Sequence, residues 1–281
     1  GGGRGMQIVR SAEELESAYR RCAVEAKAAF GDEGLYVERF LAEVRHIEIQ
    51  ILGDGGEVAH LWERECSLQR RNQKLIEIAP SPSLSAALRD RLIDAALTLA
   101  RHVQYRGLGT FEFLIDADGS SFAFIEANPR LQVEHTVTEE ITGVDLVQAQ
   151  LRLAAGASLD ALGLQSSAPP PLGYAMQLRV NTERMEADGS AKPSAGTLSR
   201  FDGYTTNPRF DSLLAKLIVS QRSARFVDTV TRAKRALAEF RIDGIVTNLP
   251  FLQALLERPE LAENRIHTRL IDALAPELVA R

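Results

Sequence analysis

The stretch GTFEFLIDADGSSFAFIEAN, residues 109–128, constrains the fold most. Two aromatic-rich apolar runs flank a turn of Asp, Gly and Ser, which predicts an antiparallel hairpin. Side chains alternate faces along a strand, so Phe111 and Phe113 share one face and Glu112 takes the other. Glu126 and Asn128 share a face of the second strand. Whether the two glutamates meet depends on the turn. A two-residue Asp118-Gly119 turn would pair Glu112 with Ile125 and set the glutamates on opposite faces. A three-residue loop, Ala117 to Gly119 with Gly119 left-handed, pairs Glu112 with Phe124 and places Glu112, Glu126 and Asn128 on one face. Three oxygen-bearing side chains on one face suit Mg²⁺, which prefers oxygen ligands and keeps water or phosphate for the rest of its shell. A solvated strand face is the competing reading.

After Pro129 the charges continue as Arg130, Gln132 and Glu134. An extended segment would point all three one way. Arginine grips planar oxyanions through two N–H groups, and a carboxylate beside it can serve as a general base. A metal cluster followed by an anion clamp and a base suggests phosphoryl transfer to a small oxyacid.

The rest of the chain reads as α+β. Ser11 with Glu14 resembles a capping box, opening a helix with Leu15, Tyr19, Cys22 and Ala26 on one face. MQIVR, LYVERFL and RHIEIQILGDGGEVAHLWERE read as strands, the last with GDGG as a hairpin turn. SAALRDRLIDAALTLARHV is an amphipathic helix. TGVDLVQAQLRLAAG is another, with Thr142 and Asp145 placed to cap its start and Gly156 its end. The Pro-rich run at 166–173 marks a domain boundary. YAMQLRVNTE, GTLSRF and LLAKLIVS follow as strands, and FVDTVTRAKRALAEF as a helix. A net charge of −5 over 281 residues argues against a general nucleic-acid binder. No apolar run reaches membrane-spanning length. Cys22 and Cys66 lack ligand spacing and read as reduced core residues of a cytoplasmic protein.

GGGRGM, RHIEIQIL, ECSLQRRNQK, GTFEFL, FIEANPRLQVEHTVTEEITGVDL and FDSLLAKLIV together carry a resemblance over nearly the whole chain. It resembles the biotin carboxylase component of biotin-dependent carboxylases, in the ATP-grasp superfamily. The resemblance implies an ATP-grasp fold of antiparallel sheets and flanking helices, then a C-terminal α/β domain. The implied divisions are 1–40 for the remainder of the lid, 41–168 for the catalytic part and 169–281 for the C-terminal domain. Gly2 and Gly3 resemble the mobile loop over the ATP phosphates. Glu38, Arg39 and Leu41 resemble the adenine hinge, with arginine where lysine is usual at 39. His46, Gln69, Asn72, Ile266 and His267 are further implied ATP contacts, joined by Glu112 and Glu126. Glu112, Glu126 and Asn128 are the implied ligands of Mg²⁺ or Mn²⁺. Lys74, Arg130 and Val133 are the implied bicarbonate site, Glu134 the base and Arg179 the group that stabilises the biotin enolate. The implied reaction passes through carboxyphosphate, with ATP spent to carboxylate biotin on a carrier domain.

Asn72 departs from the pattern, standing where histidine is common. Thr136 replaces a proline usual in the simple acetyl-CoA carboxylases, a variant that resembles pyruvate carboxylases and large acyl-CoA carboxylases. GYTTNPRFDSLLAKL leans towards the acyl-CoA group, making an acyl-CoA carboxylase the first expectation and pyruvate carboxylase the alternative. A different ATP-grasp ligase would lack RLQVEH. A non-enzymatic nucleotide-binding subunit would have lost Glu134, Arg130 or a metal ligand. The resemblance further implies a homo-oligomer, a carboxyltransferase domain or subunit as partner, and a location in the cytoplasm or mitochondrial matrix. It also implies an upstream domain carrying nucleotide-binding lysines and a further segment between Asp202 and Gly203. Residues 1–281 alone are therefore expected not to carboxylate biotin.

Overall fold

The computed structural model describes residues 5–116, 119–164, 168–196 and 211–279. These fall into two compact units, one of residues 1–42 with 71–73, the other of 43–70 with 74–281.

In the first unit, helix α1 (Ala12–Phe30) buries Ala18, Cys22 and Ala26, and Gly31 closes it at φ 79°. Leu15 and Tyr19, expected on the buried face, are 47% and 53% exposed. The buried stripe follows the small residues instead, where the backbone of Gly5 comes closest: its N–H donates to Glu25 Oε2 at 3.2 Å. Ser11 makes no side-chain cap; Glu14 caps alone, accepting from the Arg10 N–H at 2.9 Å. MQIVR and LYVERFL form no strand. Among the described residues of this unit no sheet edge is present to take their backbone groups.

The second unit is built on a seven-stranded sheet of order β5-β4-β1-β2-β3-β6-β9. Its strands are β1 (Val44–Asp54), β2 (Val58–Arg70), β3 (Gln73–Ala79), β4 (Arg106–Asp116), β5 (Phe122–Asn128), β6 (Tyr174–Asn181) and β9 (Leu213–Gln221). β7 (Glu183–Met185) and β8 (Ala191–Pro193) form a separate pair. Strands from both sides of the Pro-rich run thus share one sheet, through the antiparallel β3–β6 pairing. GTLSRF lies almost wholly outside the described residues, as does the junction at 202–203.

Two tight turns follow from their sequences. In GDGG, Asp54 Oδ1 accepts from the N–H groups of Gly56 and Glu57 at 2.9 and 2.8 Å, and Gly55 takes φ 93°. Between β2 and β3, Arg71 and Asn72 both adopt positive φ, 44° and 65°. That is the signature of a two-residue hairpin turn, and asparagine tolerates it better than most residues.

Helix α2 (Ala86–His102), capped by Ser85 Oγ, lays Leu88, Leu92, Ala96 and Leu97 on Ile47, Ile49, Ile51, Phe111, Phe113 and Ile115. These are the odd-numbered residues of β1 and β4. The even-numbered face is covered differently along its length. Near Leu52 it is apolar, under α4 (Leu146–Ala154), whose start Asp145 caps. Thr142, expected to share that cap, instead ends α3 (His135–Thr142). Near His46 to Gln50 the same face is polar yet buried. Helix α3 packs on β2, β6 and β9. Beyond β6, the helices α5 (Phe226–Glu239), α6 (Leu249–Leu256), α7 (Pro259–Ala262) and α8 (Leu270–Val279) enclose the largest apolar cluster.

Candidate active site

The hairpin of β4 and β5 places its glutamates by a route that turn chemistry did not predict. Asp116 N–H bonds Ser121 O, so four residues separate the paired ends. Ala117 and Asp118 lie outside the described residues. From that end the ladder pairs Ile115 with Phe122 and Phe113 with Phe124; one step on, Glu112 pairs with Glu126. Ile125 is therefore an extra residue, a β-bulge. Without it Phe122, Phe124, Glu126 and Asn128 would all face one way. With it, Phe122 and Phe124 stack edge-on against Phe113, centroids 5.6 and 5.7 Å apart, while Glu126 and Asn128 join Glu112 on the other face. Asn128 Nδ2 donates to Glu112 Oε1 at 2.8 Å and to Glu126 Oε1 at 3.0 Å.

On β1 the alternation HIEIQIL puts His46, Glu48 and Gln50 on this same face. Glu48 is paired with Glu112 on one side and with Arg64 of β2 on the other. Arg64 is fully buried, binding Glu48 through Nε, Gln50 Oε1 and Thr138 Oγ1 at 2.8 Å, and Thr110 Oγ1 at 3.1 Å. Lys74 of β3 reaches across, its Nζ 2.6 Å from Glu48 Oε2, 2.7 Å from Glu134 Oε1 and 3.3 Å from Glu112 Oε1. Burial disfavours the charge of Lys74, but Glu48 and the other carboxylates outweigh it and hold the ammonium well above its ordinary range. Burial likewise works to raise Glu112, yet the contact from His46 and the charge of Lys74 bring it down to about 2. Glu112 thus stays a carboxylate at neutral pH. His46 Nε2 lies 2.6 Å from Glu112 Oε2, and Gln69 braces the same ring at Nδ1.

Glu134 occupies the N-cap position of α3, where the chain turns: its φ and ψ are −82° and 3°. The extended run expected from Arg130 to Glu134 is therefore broken. Gln132 and Glu134 are buried, while Arg130 is exposed and donates to its neighbour's Leu131 carbonyl at 3.3 Å. Gln132 Nε2 donates to Glu112 Oε1 at 3.0 Å, and its buried Oε1 has no hydrogen-bond partner among the described residues. Glu134 Oε2 receives Arg179 Nη2 at 2.9 Å. Arg179, on β6, also pairs with Glu77. Burial pushes the Glu77 carboxyl up to about 7, with Arg179 pulling against it. Val133 contributes its carbonyl, which accepts from Lys216 Nζ at 2.8 Å.

Thus His46, Gln69, Lys74, Glu112, Glu126, Asn128, Glu134 and Arg179 converge. Ile266 is buried in the C-terminal apolar cluster; beside it, Thr268 N–H bonds Val44 O at 2.9 Å and ties this segment, with His267, to the start of β1. Glu38 and Arg39 are exposed and Leu41 half-buried in the first unit, which also holds Asn72. Gly2 and Gly3 lie outside the described residues. Glu48, Arg64, Glu77 and Lys216 were not singled out from sequence, and Gln132 was read only as part of the run from Arg130 to Glu134. For Glu48 the signal was a polar residue at every second position of the isoleucine-rich β1, which ordinarily marks a solvated face.

Residues 1–162 match the family described as carbamoyl-phosphate synthase L chain, ATP binding domain, and residues 177–273 match the biotin carboxylase C-terminal domain. Pyruvate carboxylase 1 of Caenorhabditis elegans is 48% identical over 99% of this chain and 25% of its own length. Rhizobium etli pyruvate carboxylase, solved with acetyl coenzyme A, superposes with a TM-score of 0.92 at 40% identity, covering 100% of this chain and 26% of that one. The biotin carboxylase domain of Hydrogenobacter thermophilus 2-oxoglutarate carboxylase, solved with MgADP, ADP and bicarbonate, gives 0.91 at 39% identity, covering 99% and 63%. The chain spans about a quarter of the length of the curated relatives it matches. Its two matched regions place the chain in the ATP-binding family of the carbamoyl-phosphate synthase L chain, an ATP-grasp part followed by a biotin carboxylase C-terminal domain.

Proposed function

We propose that this chain binds ATP and bicarbonate and carboxylates biotin on a carrier domain, as the first half-reaction of a pyruvate carboxylase. The observation that carries the chemistry is Glu134, whose two carboxylate oxygens are each held by a different cation, Lys74 and Arg179, beside a cluster of three oxygen-bearing side chains. Glu134 would take the proton of bicarbonate. Lys74, with three donors on a short lever, would hold the bicarbonate oxygens, with Arg130 and the Val133 backbone at the rim. Arg179 would stabilise the negative charge that develops on the ureido oxygen. Donors fixed in a buried site supply this without reorganisation.

The residues fit a divalent cation. Glu112 is ionised, Glu126 shares its face, Asn128 can present its amide oxygen on turning its amide, and the Gln132 oxygen beside them has no partner among the described residues. Glu112, Glu126 and Asn128 would hold Mg²⁺ or Mn²⁺, which when bound neutralises the phosphate charge of ATP. Within the second unit, His46, Gln69, Ile266 and His267 are the proposed nucleotide contacts.

The acyl-CoA reading is not favoured. Thr136 is common to both groups and could not separate them, whereas the pyruvate carboxylases of Caenorhabditis elegans and Mus musculus are 48% and 46% identical over 99% of this chain, against 37% over 98% for a long-chain acyl-CoA carboxylase. The expected partners are the biotin carrier domain and a carboxyltransferase that accepts pyruvate. Both cysteines are free and buried, which fits the cytoplasm or the mitochondrial matrix; no helix among the described residues is long and apolar enough to cross a membrane.

The test uses the complete enzyme. Glu134→Gln keeps the shape and removes the basicity, and should lower bicarbonate-dependent ADP release about a hundredfold or more. A loss of only a few-fold would remove Glu134 from the mechanism. Fixation of labelled bicarbonate should require pyruvate and not acetyl-CoA or propionyl-CoA as acceptor; the reverse preference would restore the acyl-CoA reading.

A further inference from the structure

The ladder between β1 and β2 ends with Ile47 opposite Glu65, although both strands run on. One further step would set His46 opposite Cys66. There the main-chain groups are met by side chains of β2. Ser67 Oγ accepts from the His46 N–H at 2.8 Å, and Gln69 Nε2 donates to the Cys66 carbonyl at 2.8 Å. Ser67 and Gln69 are both buried. A serine hydroxyl turns freely about its own bond, so it holds an amide in place only when its proton is committed elsewhere.

That commitment is made on the far face of the sheet. Glu65 stands across from Ile47, on the side that α2 covers, and Ser67 shares its face two residues on. Ser67 Oγ donates to Glu65 Oε1. Glu65 Oε2 accepts from Arg45 Nε at 3.2 Å and from the Ser81 hydroxyl at 2.8 Å, and Arg45 Nη2 donates to that same hydroxyl at 2.7 Å. Arg45 directly precedes His46. The peptide between them is therefore held twice by one buried carboxylate, at its N–H through Ser67 and through the guanidinium of the residue before it. A buried ion pair is poor evidence of a stabilising role; both oxygens of this one converge on a single peptide.

The same contacts fix the imidazole on the near face. The Cys66 carbonyl can only accept, so the Gln69 amide presents its nitrogen there. That nitrogen also meets His46 Nδ1, which is then an acceptor. The ring proton sits on Nε2, 2.6 Å from Glu112 Oε2.

We infer that Ser67, backed by Glu65, is a positioning residue for His46, acting through its backbone from the opposite face of the sheet. This rests on the nucleotide contact proposed for His46. Ser67 holds the strand at His46 and Gln69 holds the ring, so the imidazole is in place before a nucleotide arrives. A contact formed in advance costs less to use than one that must be ordered on binding. Loss of the hydroxyl takes a partner from a buried N–H and from a buried carboxylate oxygen, and frees β1 to shift at His46.

The complete carboxylase provides the test, by steady-state kinetics with ATP and bicarbonate varied in turn. Ser67→Ala should raise the KM for ATP about fivefold to tenfold, with the KM for bicarbonate within about twofold and kcat within about threefold of wild type. A serine needed only for folding would reduce the active fraction, lowering kcat and leaving the KM for ATP where it was; that result overturns the inference. A double-mutant cycle is the second arm. His46→Ala should raise the KM for ATP at least as much as Ser67→Ala does, and Ser67→Ala added to it should change that KM by less than about twofold. A full additive rise in the double variant shows that Ser67 acts by another route, and also overturns the inference. If Ser67→Ala does not fold, Ser67→Cys decides by the same two arms, since a thiol keeps much of the volume and is a weak acceptor. His46→Ala alone separates the two layers. An unchanged KM for ATP removes the proposed nucleotide contact and this inference with it. A raised KM in His46→Ala beside an unchanged one in Ser67→Ala removes only the positioning role.

Discussion

Glu48 and Glu112 stand directly opposite each other on neighbouring strands, both buried, and share the ammonium of Lys74. Like charges facing across a ladder repel. Burial works to raise Glu48, yet Lys74 and then Arg64 draw its carboxyl below the ordinary range, so the pair is held together as anions by cations from two other strands. The arrangement concentrates negative charge where a divalent cation is proposed to bind, while leaving one lysine free to be shared with Glu134.

Removing that lysine should be felt in the fold as well as the chemistry. Lys74→Met leaves Glu48, Glu112 and Glu134 without their common partner, and should destabilise the protein by about 3–5 kcal/mol, the cost of breaking a buried ion pair. Denaturant unfolding of the variant and wild type measures this. A difference under about 1 kcal/mol would mean that Arg64 and Arg179 alone suffice to hold the carboxylates.

Glu126 differs from its neighbour Glu112 in being exposed. Glu126→Gln should therefore leave stability within about 0.5 kcal/mol, but raise the Mg²⁺ concentration for half-maximal ATP cleavage by about tenfold or more, as expected for loss of a charged ligand. A magnesium titration of the complete enzyme reads this directly, and an unshifted midpoint would remove Glu126 from the metal site.

Arg179→Ala should separate the two half-steps. Because Arg179 is assigned to charge developing on biotin, biotin-dependent turnover should fall about a hundredfold or more, with a much smaller loss of biotin-independent ATP cleavage. Parallel losses would place Arg179 with the bicarbonate step.

Asp54 gives a pH prediction away from the site. Its carboxylate accepts backbone N–H groups of Leu159, Glu57 and Gly56, which lower its pKa. A depressed carboxyl contributes stability that is present above its unfolded value of about 3.9 and lost as pH falls through its lower folded value. Asp54→Asn should cost about 1 kcal/mol at neutral pH. The gap to wild type should close as the pH is taken below about 4; a gap that stays constant would exclude the carboxylate charge as its source.

Much of the fold was legible because period-two and period-3.6 patterns were clear in β1, β2, β4, α2, α4 and α5. The failures have separate physical causes. LYVERFL has the composition of a strand, but composition supplies no partner. Leu15 and Tyr19 sit on the correct side of a helical wheel, yet the residues of α1 that are buried are Ala18, Cys22 and Ala26, and a wheel does not say how wide the covered stripe is. The acyl-CoA reading leaned on one short stretch, GYTTNPRFDSLLAKL, which the pyruvate carboxylases matched along nearly the whole chain outweigh. At the site, the shared face of Glu112 and Glu126 was anticipated, but the register behind it was not, because bulges leave little trace in residue types. Glu48, Arg64 and Glu77 escaped notice because alternation reports that a face is polar and says nothing of whether it is covered.

The bulge at Ile125 makes the hairpin a matter of counting. Phe122, Phe124, Glu126 and Asn128 all carry even numbers, and a regular strand would force the chain to choose between packing its rings and presenting its ligands. One uncounted residue resets the beat between Phe124 and Glu126, and both demands are met. The phase of the strand is therefore set inside it, independently of the loop at its tip. Insertions at the tip should be silent, and even the removal of Ile125 would leave Glu126 facing Glu112. A single residue inserted between Glu126 and Asn128 would turn the asparagine away, with every chemically important side chain still present in the sequence.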